Sequence, residues 1–291
     1  MCIKIAKTAG FCFGVKNAVK MVEKLLEEKK NVCTLGHLIH SPQVVEKFNS
    51  CGVRVVENVE EVLKDEILVI RSHGVSKKVY DEIENLNVCY EDATCPFVKR
   101  IHNIVLKASM DGAFVLIAGD VFHPEVKGII GSCFKNYFVF KNLIELKEFA
   151  FKNNWIKKEK VILVAQTTFN LKIWQEVVRF LECDCKNIKI FPTICLSTTK
   201  RQKEADFESK KSDVSIVVGG KKSSNTKKLY DICKNNSISF FVESLKDFEK
   251  INYDFSGKKI FITAGASTPD FLIKKIFDRI FDKLHKKNTF N

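Results

Sequence analysis

The stretch DATCPFVKRIH, residues 92–102, sets a single cysteine, Cys95, between two segments of different periodicity. NVCYEDAT ahead of it is typical of a strand, and PFVKRIHNIVLKAS behind it carries apolar residues at helical spacing. Pro96 suits the first position of a helix, where its missing N–H is not needed. A solitary cysteine is more often a small buried hydrophobe than a functional group, so recurrence of this setting decides its meaning.

The same order of strand, cysteine and helix occurs twice more. CIKIAKTAGF precedes Cys12 and FGVKNAVKMVEKLLEE follows it, while NIKIFPTI and LSTTKRQKEADFESKKS flank Cys195. The chain therefore contains three copies of one pattern.

Two further elements follow each cysteine at nearly constant spacing. The second elements are CTLGHLIHSPQVV with His40, FVLIAGDVFHPEV with His123 and VSIVVGGKKSSNTKKL with Ser224, which lie 28, 28 and 29 residues after their cysteines. A glycine stands four positions ahead in each, namely Gly36, Gly119 and Gly220. The third elements are ILVIRSHGVS with His73, VILVAQTTFN with Thr167 and Thr168, and IFITAGASTPD with Ser267.

This repetition predicts an α/β protein of three similar small domains with mostly parallel sheets. We expect the first repeat at residues 13–95, the second at 96–193, the third at 194–285 plus 1–12, and a tail at 286–291. Because ligands of open α/β sheets bind at the carboxyl ends of strands, the quoted thiols and polar residues should face a common site. Three such units about one axis would bring the three cysteines together.

Three thiols at helix N-termini form a plausible metal site, since the helix dipole stabilises a thiolate there. Four thiolates would close a structural zinc or iron–sulfur site, whereas three leave one coordination position for a ligand. Zinc is more often held by close pairs such as CxxC, so widely spaced cysteines favour an iron–sulfur cluster. The alternative is three buried structural cysteines that happen to align.

The polar residues at strand ends suit an anion. Ser223, Ser224 and Asn225 open a helix and could either bind phosphate or serve as ordinary N-caps, and the same choice holds for Ser267. His40, His73 and His123 stand at equivalent strand ends, where they could donate hydrogen bonds to an anion or shuttle protons. His102 lacks that register and is assigned to the structure. Glu125 is either a general acid or a solvated residue of a first helical turn.

Composition limits the other classes of function. The 291 residues are 45% hydrophobic, and the absence of a signal peptide or a long apolar run predicts a globular cytoplasmic protein with no membrane partner. A net charge of +13 could indicate a nucleic-acid partner, but the lysines stand beside glutamates, as on solvated helix faces. We therefore expect no nucleic acid.

The motifs AGFCFGVKNAV, SHGVS, DATCPFV, HPEVKGIIG, QTT, TICLSTTKRQ, SSNTKKL and TAGASTPD resemble those of the 4-hydroxy-3-methylbut-2-enyl diphosphate reductase family, from about residue 10 to residue 270. The resemblance implies a pseudo-threefold arrangement around one [4Fe–4S] cluster held by Cys12, Cys95 and Cys195, whose fourth iron binds the allylic hydroxyl of the substrate. It implies electrons from ferredoxin or flavodoxin, loss of water, and protonation to isopentenyl and dimethylallyl diphosphate.

The resemblance also assigns roles to the polar residues. Glu125 would relay protons, with Thr167 ordering the substrate hydroxyl and His123 near the chemistry. The diphosphate would be held by His40, His73, His123, Ser223, Ser224, Asn225 and Ser267. The nearest alternative is a three-cysteine dehydratase of the quinolinate synthase type, and a more distant one is a cluster-based sensor that binds nucleic acid.

Overall fold

The computed structural model describes residues 2–134, 136–152, 160–185 and 187–286. The predicted tail, 286–291, lies outside the described residues except for its first position. The strands are β1 (Cys2–Ile5), β2 (Asn31–Leu35), β3 (Arg54–Val56), β4 (Glu66–Ile70), β5 (Tyr90–Asp92), β6 (Phe114–Ala118), β7 (Tyr137–Phe140), β8 (Val161–Ala165), β9 (Ile188–Ile190), β10 (Val214–Val218), β11 (Ile238–Val242) and β12 (Lys259–Ala264). The helices are α1 (Phe13–Glu27), α2 (Pro42–Ser50), α3 (Lys77–Asn85), α4 (Pro96–Met110), α5 (Pro124–Ile130), α6 (Leu143–Lys152), α7 (Leu171–Asp184), α8 (Leu196–Ser209), α9 (Ser224–Lys234), α10 (Leu245–Glu249) and α11 (Asp270–Lys286), with a 3-10 turn at Val59–Glu61.

Within these residues the strands form three parallel sheets of four, with one topology repeated. Their orders are β3-β2-β4-β5, β7-β6-β8-β9 and β11-β10-β12-β1. The central pairs are β2 and β4, β6 and β8, and β10 and β12. The strand that lies between each pair in sequence, β3, β7 or β11, is at one edge of its sheet. In the last sheet the other edge is β1, which pairs with β12 in the register Cys2↔Lys259. The predicted α/β class with three similar parallel sheets is confirmed.

Helices cover both faces of the central strands, which explains why β6 and β8 are continuously apolar. All five residues of β8 are buried. In the second sheet, Val115 and Ile117 pack against Ile101 of α4 on one face. The alternate residues Leu116 and Ala118 pack on the other face against residues of α6 and α7, namely Leu146, Trp174, Val177 and Leu181. The third sheet is buried in the same way, with Ile216 facing α11 and Val217 facing α8 and α9.

The chain divides into two compact units. Unit one comprises Met1–Val15, His40–Glu46 and Leu196–Asn291 and holds the third sheet; unit two comprises Lys16–Ile39 and Lys47–Cys195 and holds the first and second sheets. The three-domain boundaries expected from the repeats stay a prediction. Among the described helices, none combines the length and apolar character needed to cross a bilayer.

Candidate active site

The three cysteines predicted as metal ligands occupy equivalent junctions. Cys95 is the N-cap of α4, and Cys12 and Cys195 directly precede α1 and α8. Each donates its backbone N–H to the carbonyl of the second residue after a strand: Cys12 to Ala266 (3.0 Å), Cys95 to Ser72 (3.1 Å) and Cys195 to Thr167 (3.0 Å). Each side chain is partly exposed. Cys12 belongs to unit one and the other two belong to unit two, so the convergence of all three stays a prediction.

A buried acid and a hydroxyl face each other in unit two. The Thr167 backbone N–H donates to Glu125 Oε1 at 2.6 Å, and the Thr167 hydroxyl donates to Glu125 Oε2 at 2.7 Å. Glu125 is only 2% exposed and Thr167 8%, so the reading of Glu125 as a solvated first-turn residue is wrong. Because the Thr167 carbonyl also accepts the Cys195 N–H, one residue connects the carboxyl group to a thiol junction.

Two of the predicted histidines are in contact in unit two. The rings of His73 and His123 meet edge to face, with centroids 5.4 Å apart. His123 is the N-cap of α5, and its Nδ1 accepts the Glu125 N–H at 3.2 Å. A neutral ring that accepts at Nδ1 carries its proton on Nε2, so His123 presents a donor on its other side.

A buried amide stands at the start of α9 in unit one. Ser223 is the N-cap, and its hydroxyl accepts the Thr226 N–H at 3.3 Å. Asn225, 3% exposed, has neither its side-chain nitrogen nor its oxygen hydrogen-bonded within the described part of the chain. Buried polar groups are normally paired, so Asn225 has donor and acceptor capacity for a ligand.

Other predicted residues of unit one surround this helix start. The Ser267 hydroxyl donates to the His40 carbonyl at 3.0 Å. A Cβ on Gly220 would lie 2.5 Å from the same carbonyl oxygen, so the close approach of the two segments requires glycine. Ser224 accepts a hydrogen bond from Lys228 at 2.8 Å, which adds a cation that the sequence motifs did not single out.

The backbone corrects the predicted register of the third repeat by one residue. The first glycine after the central strand donates to the edge strand in each repeat: Gly36 to Val56, Gly119 to Phe140 and Gly219 to Val242. The third equivalent glycine is therefore Gly219, not Gly220, and the residue matching His123 is Ser223, not Ser224. Both are N-caps that accept from their own helix. With this correction the spacing from cysteine to strand-end residue is 28 in all three repeats.

The corrected register identifies a residue that the sequence analysis missed. The second residue of the following helix is Gln43 in α2, Glu125 in α5 and Asn225 in α9. The Gln43 side chain donates to the Glu243 carbonyl at 2.7 Å and accepts from Ser41 at 3.2 Å. Counting from the helix start instead of from the cysteine would have found it, because the first loop is one residue longer.

The three repeated α/β sheets present thiols, histidines and one buried acid at their strand ends. This arrangement defines a class of proteins whose ligand sites lie at the carboxyl edges of their sheets. The LytB protein family model matches residues 3–281. Proteins named 4-hydroxy-3-methylbut-2-enyl diphosphate reductase are similar to this chain in Caldanaerobacter subterraneus (42% identity; 96% of each chain) and Clostridioides difficile (39%; 95% of this chain and 98% of the relative).

Solved structures give the same result. The chain is similar to the E-1-hydroxy-2-methyl-but-2-enyl-4-diphosphate reductase from Plasmodium falciparum, with a TM-score of 0.86, 26% identity and coverage of 96% and 87%. It is also similar to a structure described as (E)-4-hydroxy-3-methyl-but-2-enyl diphosphate reductase, the terminal enzyme of the non-mevalonate pathway, with a TM-score of 0.67, 36% identity and coverage of 97% and 100%. The chain belongs to the LytB family, which confirms the resemblance and does not favour the quinolinate synthase alternative.

Proposed function

We propose that this chain is a reductase that converts 4-hydroxy-3-methylbut-2-enyl diphosphate to isopentenyl and dimethylallyl diphosphate. The observation that carries the proposal is the buried Glu125, which is held at both oxygens by Thr167 while Thr167 accepts the backbone N–H of Cys195. A proton-carrying group is thereby tied to a predicted electron-carrying centre. The relatives named for this reaction match nearly the whole chain.

The overall reaction consumes two electrons and two protons and releases one water for each substrate molecule. One proton leaves with the hydroxyl oxygen, and the other is delivered to carbon. Glu125 is the group proposed to carry protons, and the Thr167 hydroxyl, now donating to Oε2, would order the substrate hydroxyl beside it. Burial of both groups keeps competing water away from the transfer.

Cys12, Cys95 and Cys195 are the residues that would hold one [4Fe–4S] cluster. The donor set fits such a group, because thiolates are the usual ligands of these clusters and each thiol here stands at a helix N-terminus that stabilises negative charge. When bound with three protein ligands, the cluster would supply the electrons and one iron open to the substrate hydroxyl.

The diphosphate would be held by polar side chains at the strand ends. Asn225, buried and without a side-chain partner in the described chain, is the strongest of these, since a ligand phosphate would satisfy its amide. Ser223, Ser224 and Ser267 add hydroxyls, and Lys228 adds positive charge through its bond to Ser224. His40, His73 and His123 complete the set, with His123 able to donate from Nε2.

The electron donor is proposed to be a small acidic carrier, a ferredoxin or a flavodoxin. The net charge of +13 supports docking of an acidic partner, whose approach it would accelerate. Substitution of exposed lysines should then weaken the apparent affinity for the reduced carrier at low salt.

The reaction is tested with anaerobically purified protein whose iron and sulfide content is first measured. Such protein should consume the allylic diphosphate with a reduced carrier, and failure to do so despite a full cluster would refute the proposal. Glu125→Gln should keep iron, sulfide and substrate binding but lower kcat by two or more orders of magnitude. Glu176→Gln, at an exposed position of α7, is the matched control. Near-normal turnover of Glu125→Gln would remove Glu125 from the mechanism.

A further inference from the structure

A pocket of about 210 Å³ lies within unit two, and none of the residues assigned to the cluster, the substrate or proton transfer lines it. Its walls come from the ends of β2 and β3, the loop after β4, the start of α3 and the start of α5. The residues that matter for its chemistry are Gly36, Glu57, Arg71, Ser76 and Lys127. The volume is too small for a drug-sized molecule but admits a small anion or ester.

Arg71 is the central group of this pocket. Its side chain is half-buried, and its Nε has no hydrogen-bond partner in the described residues. Burial lowers the pKa of Arg71, because the guanidinium loses water, and the charge of Glu57 opposes that effect. Glu57 is exposed. Glu57 therefore offsets part of the cost of burying the guanidinium, and the unpartnered Nε leaves donor capacity for a ligand.

A glycine, Gly36, lies directly beside the Arg71 guanidinium. Gly36 has φ +66°, and a Cβ at this position would lie 2.5 Å from Arg71 Nη1. Any other residue would therefore displace the guanidinium as well as strain the turn. Glycine at position 36 therefore leaves the space that the half-buried guanidinium occupies.

Two further polar groups line the same pocket. Ser76 is the N-cap of α3, and its hydroxyl makes no capping hydrogen bond to that helix. Lys127 of α5 is exposed. Two cations and one hydroxyl thus share the pocket with a single exposed carboxylate.

We propose that this pocket binds a phosphate group, as inorganic phosphate or a small phosphomonoester, through the Arg71 guanidinium, the Ser76 hydroxyl and the charge of Lys127. The guanidinium fork matches two phosphate oxygens, and the hydroxyl donates to a third. Arg71 lies two residues before His73, and Lys127 lies four residues after His123. A bound anion would tie together the two segments that carry these contacting rings.

The test is isothermal titration of inorganic phosphate into full-length, cluster-loaded protein at constant ionic strength. Wild type should show a saturable site that Arg71→Gln weakens about tenfold to a hundredfold, the range expected for loss of a charged hydrogen-bonded partner. Arg179→Gln, the same exchange at an exposed position of α7, should bind as wild type does. Lys127→Gln, at an exposed side chain, should weaken the same site about threefold.

Two results would overturn the proposal. One is an identical stoichiometry and Kd for wild type and Arg71→Gln, because phosphate held by Ser223, Asn225 or the histidines would be kept in both. The other is a lack of saturation in wild type. If Arg71→Gln does not fold, as judged by circular dichroism, an unchanged Kd in the folded Lys127→Gln variant counts against the site. Titration with a phosphomonoester then tells whether the group binds free or esterified.

Discussion

Removal of the Thr167 hydroxyl tests whether its bond to Glu125 serves turnover. In Thr167→Val the 2.7 Å bond to Oε2 is lost, while the backbone N–H still holds Oε1 at 2.6 Å. Since both residues are buried, water does not easily replace the missing donor. A hydrogen bond to a charged group contributes about 1.5–3 kcal/mol, and if this stabilisation orders the reacting groups, kcat should fall about tenfold to 150-fold.

Thr167→Ser is the matched variant, because it keeps the hydroxyl and removes only a methyl group. Its kcat should stay within about threefold of wild type. Steady-state rates are measured with a chemically reduced carrier at equal iron and sulfide content, so that cluster loss is not mistaken for a catalytic effect. A Val variant as fast as the Ser variant would refute the reasoning, and so would a loss seen only in KM, since that would indicate uniform binding.

Three other changes have expected outcomes. Asn225→Leu removes a buried amide that lacks a partner, so the free energy of unfolding should stay equal or rise while KM increases at least tenfold; unchanged KM would exclude a substrate contact. Gly220→Ala forces a Cβ against the His40 carbonyl at 2.5 Å and should lower the free energy of unfolding by about 1–3 kcal/mol in urea titrations. Burial, opposed by the charge of Asp92, lowers the pKa of His102 from 6.5 to about 4. As the pH falls below 6.5, His102 takes up a proton in the unfolded chain before it does so in the folded chain. The free energy of unfolding should therefore fall by up to about 3 kcal/mol from pH 7 to pH 4, and His102→Gln should make it depend less on pH.

Much of the fold follows from local signals. Strands buried on both faces are apolar throughout, as β8 shows, and a proline after Cys95 marks a helix start. These signals need only a few consecutive residues, so they predict the repeats and the cysteine junctions. They do not distinguish between adjacent identical residues, Gly219 and Gly220 or Ser223 and Ser224, so the third repeat is aligned one residue too far from sequence alone.

The pairing of side chains between distant segments of one repeat is less accessible to sequence. Glu125 and Thr167 are 42 residues apart, and nothing in HPEV or QTT states that the carboxylate receives two bonds from one residue. The pocket around Arg71 was also missed, because its walls come from five separate segments. Its polar residues show no periodicity, and only the folded chain collects them.

The repeated backbone holds groups with different hydrogen bonding at equivalent positions. The carbonyl that accepts each cysteine N–H belongs to Ser72, Thr167 or Ala266. In the second repeat Thr167 has a hydroxyl, and the acid Glu125 accepts it. In the third repeat the corresponding Ala266 has none, and Asn225 keeps its amide for another partner. The equivalent second helix positions therefore hold an acid with partners inside the chain, Glu125, and an amide without one among the described residues, Asn225.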